Sequence, residues 1–230
     1  MNNFFIVYFG IKYKYFTIFE IKTAMKYIFI LIFSASTLVF AQKPCGYKDG
    51  LQEGNCKEFY ENGQVKNSVE WRKGKLDGNA VFYHDNGKIQ SKGEYKKGFK
   101  VQKWAYYDKN GVLTSEEVFR NGEKNIYDNS LTATFYSPSG KVTEISNYKF
   151  NKLQGESRTF HEDGKSVKEI GQYDNGLATG KWKVLYPSGK IQRETEFAND
   201  KRNGNRVHYR EDGSIEKTEV YKDGKLISTK

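Results

Sequence analysis

Hydrophobic and polar residues alternate along short stretches of this chain, and the stretches recur. Between residues 190 and 197, Ile191 and Phe197 share one side of an extended strand, while four polar residues at even positions share the other. Side chains of a strand point to alternate faces, so the pattern predicts a half-buried β-strand. An aliphatic and an aromatic residue six positions apart occur seven times: Val65/Trp71, Ile89/Tyr95, Leu113/Phe119, Val142/Tyr148, Val167/Tyr173, Ile191/Phe197 and Ile215/Tyr221.

Glycines punctuate these strands at regular intervals and predict where the chain turns. One series comprises Gly63, Gly87, Gly111, Gly140, Gly164, Gly189 and Gly213, each about 24 residues from the next except for one longer step. A second comprises Gly74, Gly98, Gly122, Asn151, Gly176, Asp200 and Gly224, and a third Gly78, Gly155, Gly180 and Gly204. Glycine takes positive φ without a steric clash, which permits tight hairpins. Seven hairpin units are therefore predicted, after an initial half repeat marked by Tyr47, Gly50 and Gly54.

One hairpin cannot bury its apolar face alone, but stacked neighbours share one. The predicted fold class is all-β: an elongated antiparallel meander of repeated β-hairpins in a single-layer sheet. About fourteen strands at a spacing of about 4.8 Å would extend for about 65 Å. Nothing in the repeat marks closure, so an open sheet is expected.

Composition agrees with this fold and adds a positive charge. Aromatic residues make up 16% of the chain, which argues against disorder, and the net charge is +10. Four lysines and one glutamate precede residue 42, so the remainder carries 34 basic and 27 acidic residues, or +7. No run of five like charges occurs in it. The charge fits a solvated surface or an acidic partner, among which nucleic acid is disfavoured.

The beginning of the chain resembles a secretory signal. Met25 and Lys26 precede an apolar stretch that ends in Ala41. Cleavage after Ala41 would leave Gln42 first, and Met25 is a candidate for the true start. The predicted domains are an upstream extension with signal peptide at 1–41 and a repeat domain at 42–230. Export to the periplasm, cell surface or medium follows, with an uncleaved membrane anchor as the alternative.

Export changes what the two cysteines imply. Cys45 and Cys56 would lie in an oxidising compartment, where a disulfide between them is favoured over free thiols or intermolecular pairing. No histidine lies near either cysteine in the sequence, so a metal site is disfavoured.

The turn sequences resemble bacterial MORN-type repeats. The similarity is clearest from Tyr83 to Gly98 and from Gly176 to Trp182, and it extends over roughly residues 47–230. Proteins of this kind are often grouped as YwqK-like antitoxins, and MORN repeats are associated with membrane attachment and protein scaffolding. The resemblance therefore implies a binding or scaffolding role. An antitoxin against a cytosolic toxin would stay in the cytosol, whereas export is predicted here.

Several units depart from the pattern. Gln102 and Ile126 replace the third glycine, and Asp200 replaces the second. An insert, Glu123 to Thr134, lengthens one unit. Inserts in repeat proteins often lie on a binding face, and neutral elongation of a loop is the alternative.

No catalytic or metal-binding constellation is found, and no cofactor is implied. His84, His161 and His208 belong to distant units, and they are interpreted as exposed turn residues. The zinc spacings, phosphate-binding loops and nucleophile motifs known from enzymes do not occur. The chain is predicted not to be an enzyme.

One row of aromatic residues is the candidate functional feature. We call the aromatic ladder the set Trp71, Tyr95, Phe119, Tyr148, Tyr173, Phe197 and Tyr221. It would form either the core of the sheet or a binding platform. Trp104 and Trp182 share another slot, which Cys56 occupies in the half repeat. The leading hypothesis is a scaffold for an envelope protein, and the alternatives are binding of anionic lipid or envelope glycan and an antitoxin-like role. The oligomeric state is left open.

Overall fold

The computed structural model describes residues 45–120 and 129–230. The predicted signal segment and the part of the insert before residue 129 lie outside the described residues. The strands are β1 (Gly46–Lys48), β2 (Leu51–Phe59), β3 (Val65–Arg72), β4 (Lys75–Tyr83), β5 (Ile89–Lys96), β6 (Phe99–Tyr107), β7 (Leu113–Phe119), β8 (Leu131–Tyr136), β9 (Val142–Lys149), β10 (Lys152–Phe160), β11 (Val167–Asp174), β12 (Leu177–Leu185), β13 (Ile191–Ala198), β14 (Lys201–Tyr209), β15 (Ile215–Lys222) and β16 (Lys225–Thr229). No helix in this part of the chain is long and apolar enough to cross a membrane.

All sixteen described strands belong to one antiparallel sheet, and each strand pairs with its neighbours in sequence. The predicted open meander is thus confirmed. The seven predicted hairpins are β2–β3 to β14–β15, and β1 and β16 add one strand at each edge. The sheet therefore has two more strands than the roughly fourteen expected from the repeat.

Two kinds of turn alternate at the two ends of the strands. The first glycine series lies in three-residue turns, except that the turn at Gly164 has four residues. In the first of these turns, the Gly63 amide donates to the Tyr60 carbonyl at 2.9 Å, and Gly63 has φ of 82°. Two-residue turns contain the members of the second series other than Gly122, which lies outside the described residues. In the first of these turns, Lys73 and Gly74 both have positive φ, at 50° and 71°. Two successive positive φ values define the type I′ turn, whose twist matches that of the strands. Asp200, which replaces a glycine, has φ of 65°.

The third glycine series marks bulges in the even-numbered strands. Gly78, Gly155, Gly180 and Gly204 have positive φ, and the strand pairing shifts close to each of them. Gln102 takes the same left-handed conformation, with φ of 57°. The pairing of β7 with β8 shows no shift, so the inserted unit lacks this bulge among its described residues.

The core lies on the face that carries the aromatic ladder, here called the ladder face. Residues directly opposite each other in paired strands project to the same face. The pairing and two glycine–tryptophan contacts therefore define a middle row along this face, with one residue from each of β2 to β15. The row consists of Cys56, Val69, Ala80, Gly93, Trp104, Glu117, Ala133, Ser146, Ser157, Gly171, Trp182, Thr195, Arg206 and Glu219. Most of its members are buried, so this row is the centre of the sheet.

Candidate binding face

The aromatic ladder lies next to the middle row, two residues further along each odd-numbered strand. Neighbouring ladder residues are separated by one even-numbered strand, which places them roughly 10 Å apart. Several ladder rings lie opposite a bulge glycine of the preceding strand, for example Tyr95 opposite Gly78 and Phe197 opposite Gly180. Both glycines have positive φ, so the backbone of the bulge accounts for them.

The ladder is neither a fully buried core nor a fully exposed platform. Tyr221 is buried, and the other six rings are half-buried. Burial raises the pKa of the phenols of Tyr95, Tyr148 and Tyr173 above the ordinary value. These tyrosines therefore remain protonated at neutral pH and present hydroxyl groups that can donate hydrogen bonds.

Two tryptophans of the middle row lie flat against glycines, a feature that sequence reasoning missed. A Cβ atom on Gly93 would lie 2.3 Å from the Trp104 ring, and one on Gly171 would lie 2.0 Å from the Trp182 ring. Neither glycine has positive φ, so space for the indole explains both. The available signal was that both glycines fall outside the turn series and precede a tryptophan by eleven residues.

Around Trp104 the ladder face is apolar and closely packed. Cys56, Val69, Ala80 and Trp104 form a buried cluster, against which partly buried side chains such as Phe82 and Tyr95 pack. Trp104 is 1% exposed, and its ring centroid lies 4.9 Å from that of Tyr95 in an edge-to-face arrangement. The Trp104 indole N–H donates to the Glu94 carbonyl at 3.1 Å. Its only polar group is thus satisfied.

The Lys100 side chain lies over this cluster and is bound by neighbouring side chains. The Lys100 ammonium lies 4.7 Å from the centroid of the Trp104 ring and donates to the Tyr106 hydroxyl at 2.6 Å. Tyr106 in turn hydrogen-bonds Glu117. Burial, followed by the contact with Glu117, raises the pKa of Tyr106. The polar groups around Trp104 thus bond one another, and among the described residues of β2–β7 the one buried side-chain atom without a hydrogen-bond partner is Asn67 Oδ1.

Around Trp182 the same face is polar and more open. Trp182 is half-buried, with Tyr173 and Phe197 ring centroids 5.0 and 6.1 Å away. Its indole N–H has no hydrogen-bond partner among the described residues, unlike that of Trp104. Beside it lies a cavity of about 130 Å³.

The Glu219 carboxylate lies close to polar side chains of β14 and β15 in this region. Its carboxylate accepts hydrogen bonds from the Lys217 ammonium at 2.8 Å and the Tyr221 hydroxyl at 3.1 Å. The Arg206 Nε lies 3.7 Å from it and the His208 Nε2 3.5 Å. The bond from Lys217 contributes most to lowering the pKa of Glu219 to about 2. Burial, together with Arg206 and Lys217, lowers the pKa of His208.

Three arginines line the cavity beside Trp182, and sequence reasoning missed them as well. We call Arg193, Arg202 and Arg206 the arginine cluster. Arg202 donates to the Tyr221 hydroxyl at 2.9 Å, and its guanidinium lies 4.2 Å from the centroid of the Tyr221 ring. The side chain of Arg193 forms no ion pair or hydrogen bond with the described residues. The three residues come from two strands and meet only through the bulged register, which the alternation of one strand does not reveal.

The opposite face carries a different cavity. A groove of about 600 Å³ lies over β4–β7, with Val81, Ala105 and Tyr107 among its lining residues. Lys103 and Glu116 form an ion pair at this groove, with 2.6 Å between the ammonium and the carboxylate. The charges at this groove are thus partly compensated by one another.

Cys45 and Cys56 are joined by a disulfide, with their Cα atoms 4.6 Å apart. Cys56 occupies the middle-row slot of β2, and Cys45 packs against the apolar cluster. The disulfide joins the residue before β1 to β2, beside the apolar cluster that contains Trp104.

The three histidines are half-buried, which corrects their interpretation as exposed turn residues. His84 Nε2 lies 2.9 Å from the Tyr107 carbonyl, and His161 Nε2 lies 3.1 Å from the Leu185 carbonyl. Tyr60 and Tyr186 make the same contact from the same slot, at 2.6 and 2.9 Å. Each side chain bonds the turn of the next hairpin, about one repeat further along the chain. These residues therefore tie consecutive hairpins together. His208 lies on the ladder face instead.

The family model of the MORN repeat variant matches five segments: residues 52–73, 76–97, 131–150, 153–175 and 178–199. This chain is a MORN-type repeat protein. The matched MORN segments correspond to β2–β5 and β8–β13, whereas β6, β7 and β14–β16 continue the meander outside them. No curated protein matches the chain. The antitoxin-like subtype stays a prediction.

Proposed function

We propose that this MORN-type protein is an exported, non-enzymatic module that binds an envelope protein along its ladder face and scaffolds it. The observation that carries the proposal is the half-buried aromatic ladder, repeated along a single sheet. Rigid aromatic side chains provide much apolar contact area with few rotatable bonds, and they are enriched in protein interfaces. MORN repeats often serve as binding or scaffold modules.

The roles of the histidines support a binding role rather than catalysis. His84 and His161 hold neighbouring turns together through backbone carbonyls, which accounts for both without chemistry. His208 lies beside Glu219, and burial, together with the charges of Arg206 and Lys217, lowers its pKa.

Site-specific photo-crosslinking tests the proposed face. A benzophenone amino acid at Tyr148, a ladder position in β9, is expected to crosslink one envelope protein in intact cells. The matched control is Thr143, which lies on the same strand and projects to the opposite face. Adducts of equal yield from both positions would contradict the proposal.

Export is tested separately by cell fractionation and N-terminal sequencing. The proposal expects a chain that begins at Gln42 in the envelope or the medium. A cytosolic chain that retains the residues before Gln42 would instead support the antitoxin-like alternative.

The positive charge of the mature chain supports a second candidate, binding of anionic lipid or envelope glycan. This candidate expects sedimentation with phosphatidylglycerol vesicles or with isolated glycan that weakens as salt rises. Lack of sedimentation at low salt would remove it.

A further inference from the structure

We propose that the arginine cluster is a carboxylate site that receives an aspartate or glutamate side chain from an acidic segment of the partner. This inference rests on the proposed function, because it assigns a chemical character to the protein partner. The cavity of about 130 Å³ is lined by Arg193, Arg202 and Arg206, together with Trp182, Thr195 and Glu169. Ligand pockets for larger molecules usually exceed about 300 Å³, so the cavity suits a single small group.

The cavity carries an excess of positive charge that the chain itself does not neutralise. Glu219 lies near Arg206, but no ion pair joins Arg193 or Arg202 to a carboxylate among the described residues. Glu169 lines the cavity without approaching any of the three guanidinium groups within 4 Å. Burial, and then the charge of Arg206, lowers the pKa of Arg193, while Glu169 and Glu219 act in the opposite direction without cancelling this effect. An added anion would relieve this.

The fold does not require arginine at these positions, as the other repeats show. The slot of Arg193 holds Asn67, Ser91, Ser115, Glu144, Glu169 or Lys217 in the other units. The slot of Arg206 holds Cys56, Ala80, Trp104, Ala133, Ser157 or Trp182. The slot of Arg202, two residues before the bulge, holds Leu76, Lys100, Leu153 or Ala178 in the other bulged strands. Each slot thus accepts an uncharged residue in other units. Arg206 and Arg202 contact Glu219 and Tyr221, whereas the half-buried Arg193 side chain has no partner among the described residues. Leaving such a charge unpaired is costly, which indicates a ligand.

The surroundings favour a carboxylate of a peptide over a phosphate. Guanidinium groups bind both anions through paired N–H donors. Glu169 would repel a doubly charged phosphate more strongly than a singly charged carboxylate. Trp182 and Phe197 provide apolar walls for the methylene groups of an acidic side chain. The arginines are half-buried, whereas contact with a bilayer surface favours fully exposed cations.

Binding of a fluorescein-labelled decaglutamate peptide to the mature, disulfide-bonded chain tests the proposal, with decaglutamine as the neutral comparison. Arg193→Ser places at this slot the residue that β5 and β7 carry, so the variant is expected to fold. We expect it to weaken decaglutamate binding at least tenfold. Arg206→Ala introduces the residue that β4 carries at the equivalent slot, Ala80, and provides a second variant with the same expectation. The matched control is Arg158→Ser, which removes the same charge from an exposed residue of the opposite face and should change binding less than twofold.

The other outcomes distinguish failure of the carboxylate site from failure of the proposed function. Equal loss in Arg193→Ser and Arg158→Ser would show non-specific attraction to a basic protein. Stronger competition by inorganic phosphate than by acetate, or loss of phosphatidylglycerol vesicle binding in Arg193→Ser, would reassign the site to phosphate or lipid. If Arg193→Ser retains the crosslink from position 148 and wild-type affinity for decaglutamate, the proposed function stands and the carboxylate site is wrong. If position 148 gives no crosslink while decaglutamate binds through Arg193, the ladder proposal fails instead.

Discussion

The regions around Trp104 and Trp182 share one contact, an indole ring packed against a glycine, but differ in the residues that surround it. Each indole lies against a glycine of the preceding strand, and each contacts the ladder tyrosine of that strand edge-to-face. Around Trp104 the neighbours are aliphatic and aromatic, and the indole N–H is bonded. Around Trp182 the neighbours include three arginines and a cavity, and the indole N–H has no partner among the described residues.

The difference shows which features the repeat needs and which it leaves free. Both regions keep the turn glycines, the bulge and the glycine–tryptophan contact, so these specify the hairpin and its register. The residues beside the tryptophan vary, because an open sheet exposes its face to solvent and tolerates polar side chains there. The first region therefore stabilises the sheet, and the second is the one that we propose for binding.

The largest expected contrast comes from removing the two indoles. Trp104→Ala deletes a side chain that is 1% exposed and should lower the free energy of unfolding by about 3–5 kcal/mol. Trp182→Ala removes a half-buried ring and should cost about 2 kcal/mol. Urea unfolding followed by far-ultraviolet circular dichroism measures both. Equal losses would mean that the two regions do not differ as described.

Reduction of the disulfide should weaken only the first region. Cys45 and Cys56 are eleven residues apart, and closing a loop of that length contributes about 3 kcal/mol by chain entropy. We expect the paired variant Cys45→Ser/Cys56→Ala to speed amide exchange in β1–β3. The exchange of β13–β15 should not change, and a uniform increase along the sheet would contradict this account.

Substitution of Gly93 and Gly171 tests whether each glycine is needed to leave space for the indole ring beside it. Gly93→Ala and Gly171→Ala each place a Cβ atom inside the indole ring position and should cost about 1–3 kcal/mol by overpacking. The cost of Gly171→Ala should largely disappear in the background of Trp182→Ala, because the obstacle is then absent. Thermal unfolding of the single and double variants measures this coupling. If the losses in the free energy of unfolding add, the glycines are needed for the backbone conformation and not for space beside the indole rings.

The smallest effect concerns the pH dependence of the second region. Folding lowers the pKa of Glu219 from an ordinary 4.5 to about 2, mainly through Lys217. A carboxyl with a lowered pKa stabilises the fold above its unfolded pKa, and this contribution is lost as the pH falls toward the folded value. The melting temperature should therefore fall between pH 4.5 and 2 more steeply in wild type than in Glu219→Gln. Parallel pH profiles would contradict the role given to Glu219.

Much of the fold could be predicted from local signals. Periodic glycines and alternation along the odd-numbered strands predicted the hairpins and the open meander, because turns depend on φ at particular residues. Gln102 and Asp200 preserved positive φ where glycine was missing, so the repeat survived the replacements. Of the candidate site, the ladder could be placed on one face, but its half-buried state depends on neighbours across the sheet.

The remaining features depend on contacts between strands, which the sequence shows only indirectly. The arginine cluster forms because the bulge at Gly204 brings Arg202 opposite Phe197 and Arg206 opposite Thr195. His84 and His161 were wrongly interpreted as exposed, since their bonding partners lie in the next hairpin. The recurrence of tyrosine in that slot, at Tyr60 and Tyr186, was the signal that could have corrected this.

Hydrogen–deuterium exchange of the mature chain, with and without decaglutamate, tests most directly the claim that the two regions have separate roles. Without peptide, the account predicts the slowest amide exchange in β3–β6, around Trp104. With peptide, it predicts added protection confined to β11–β14, around Trp182 and the arginine cluster. Added protection in β3–β6, or an equal change along all strands, would contradict the central claim.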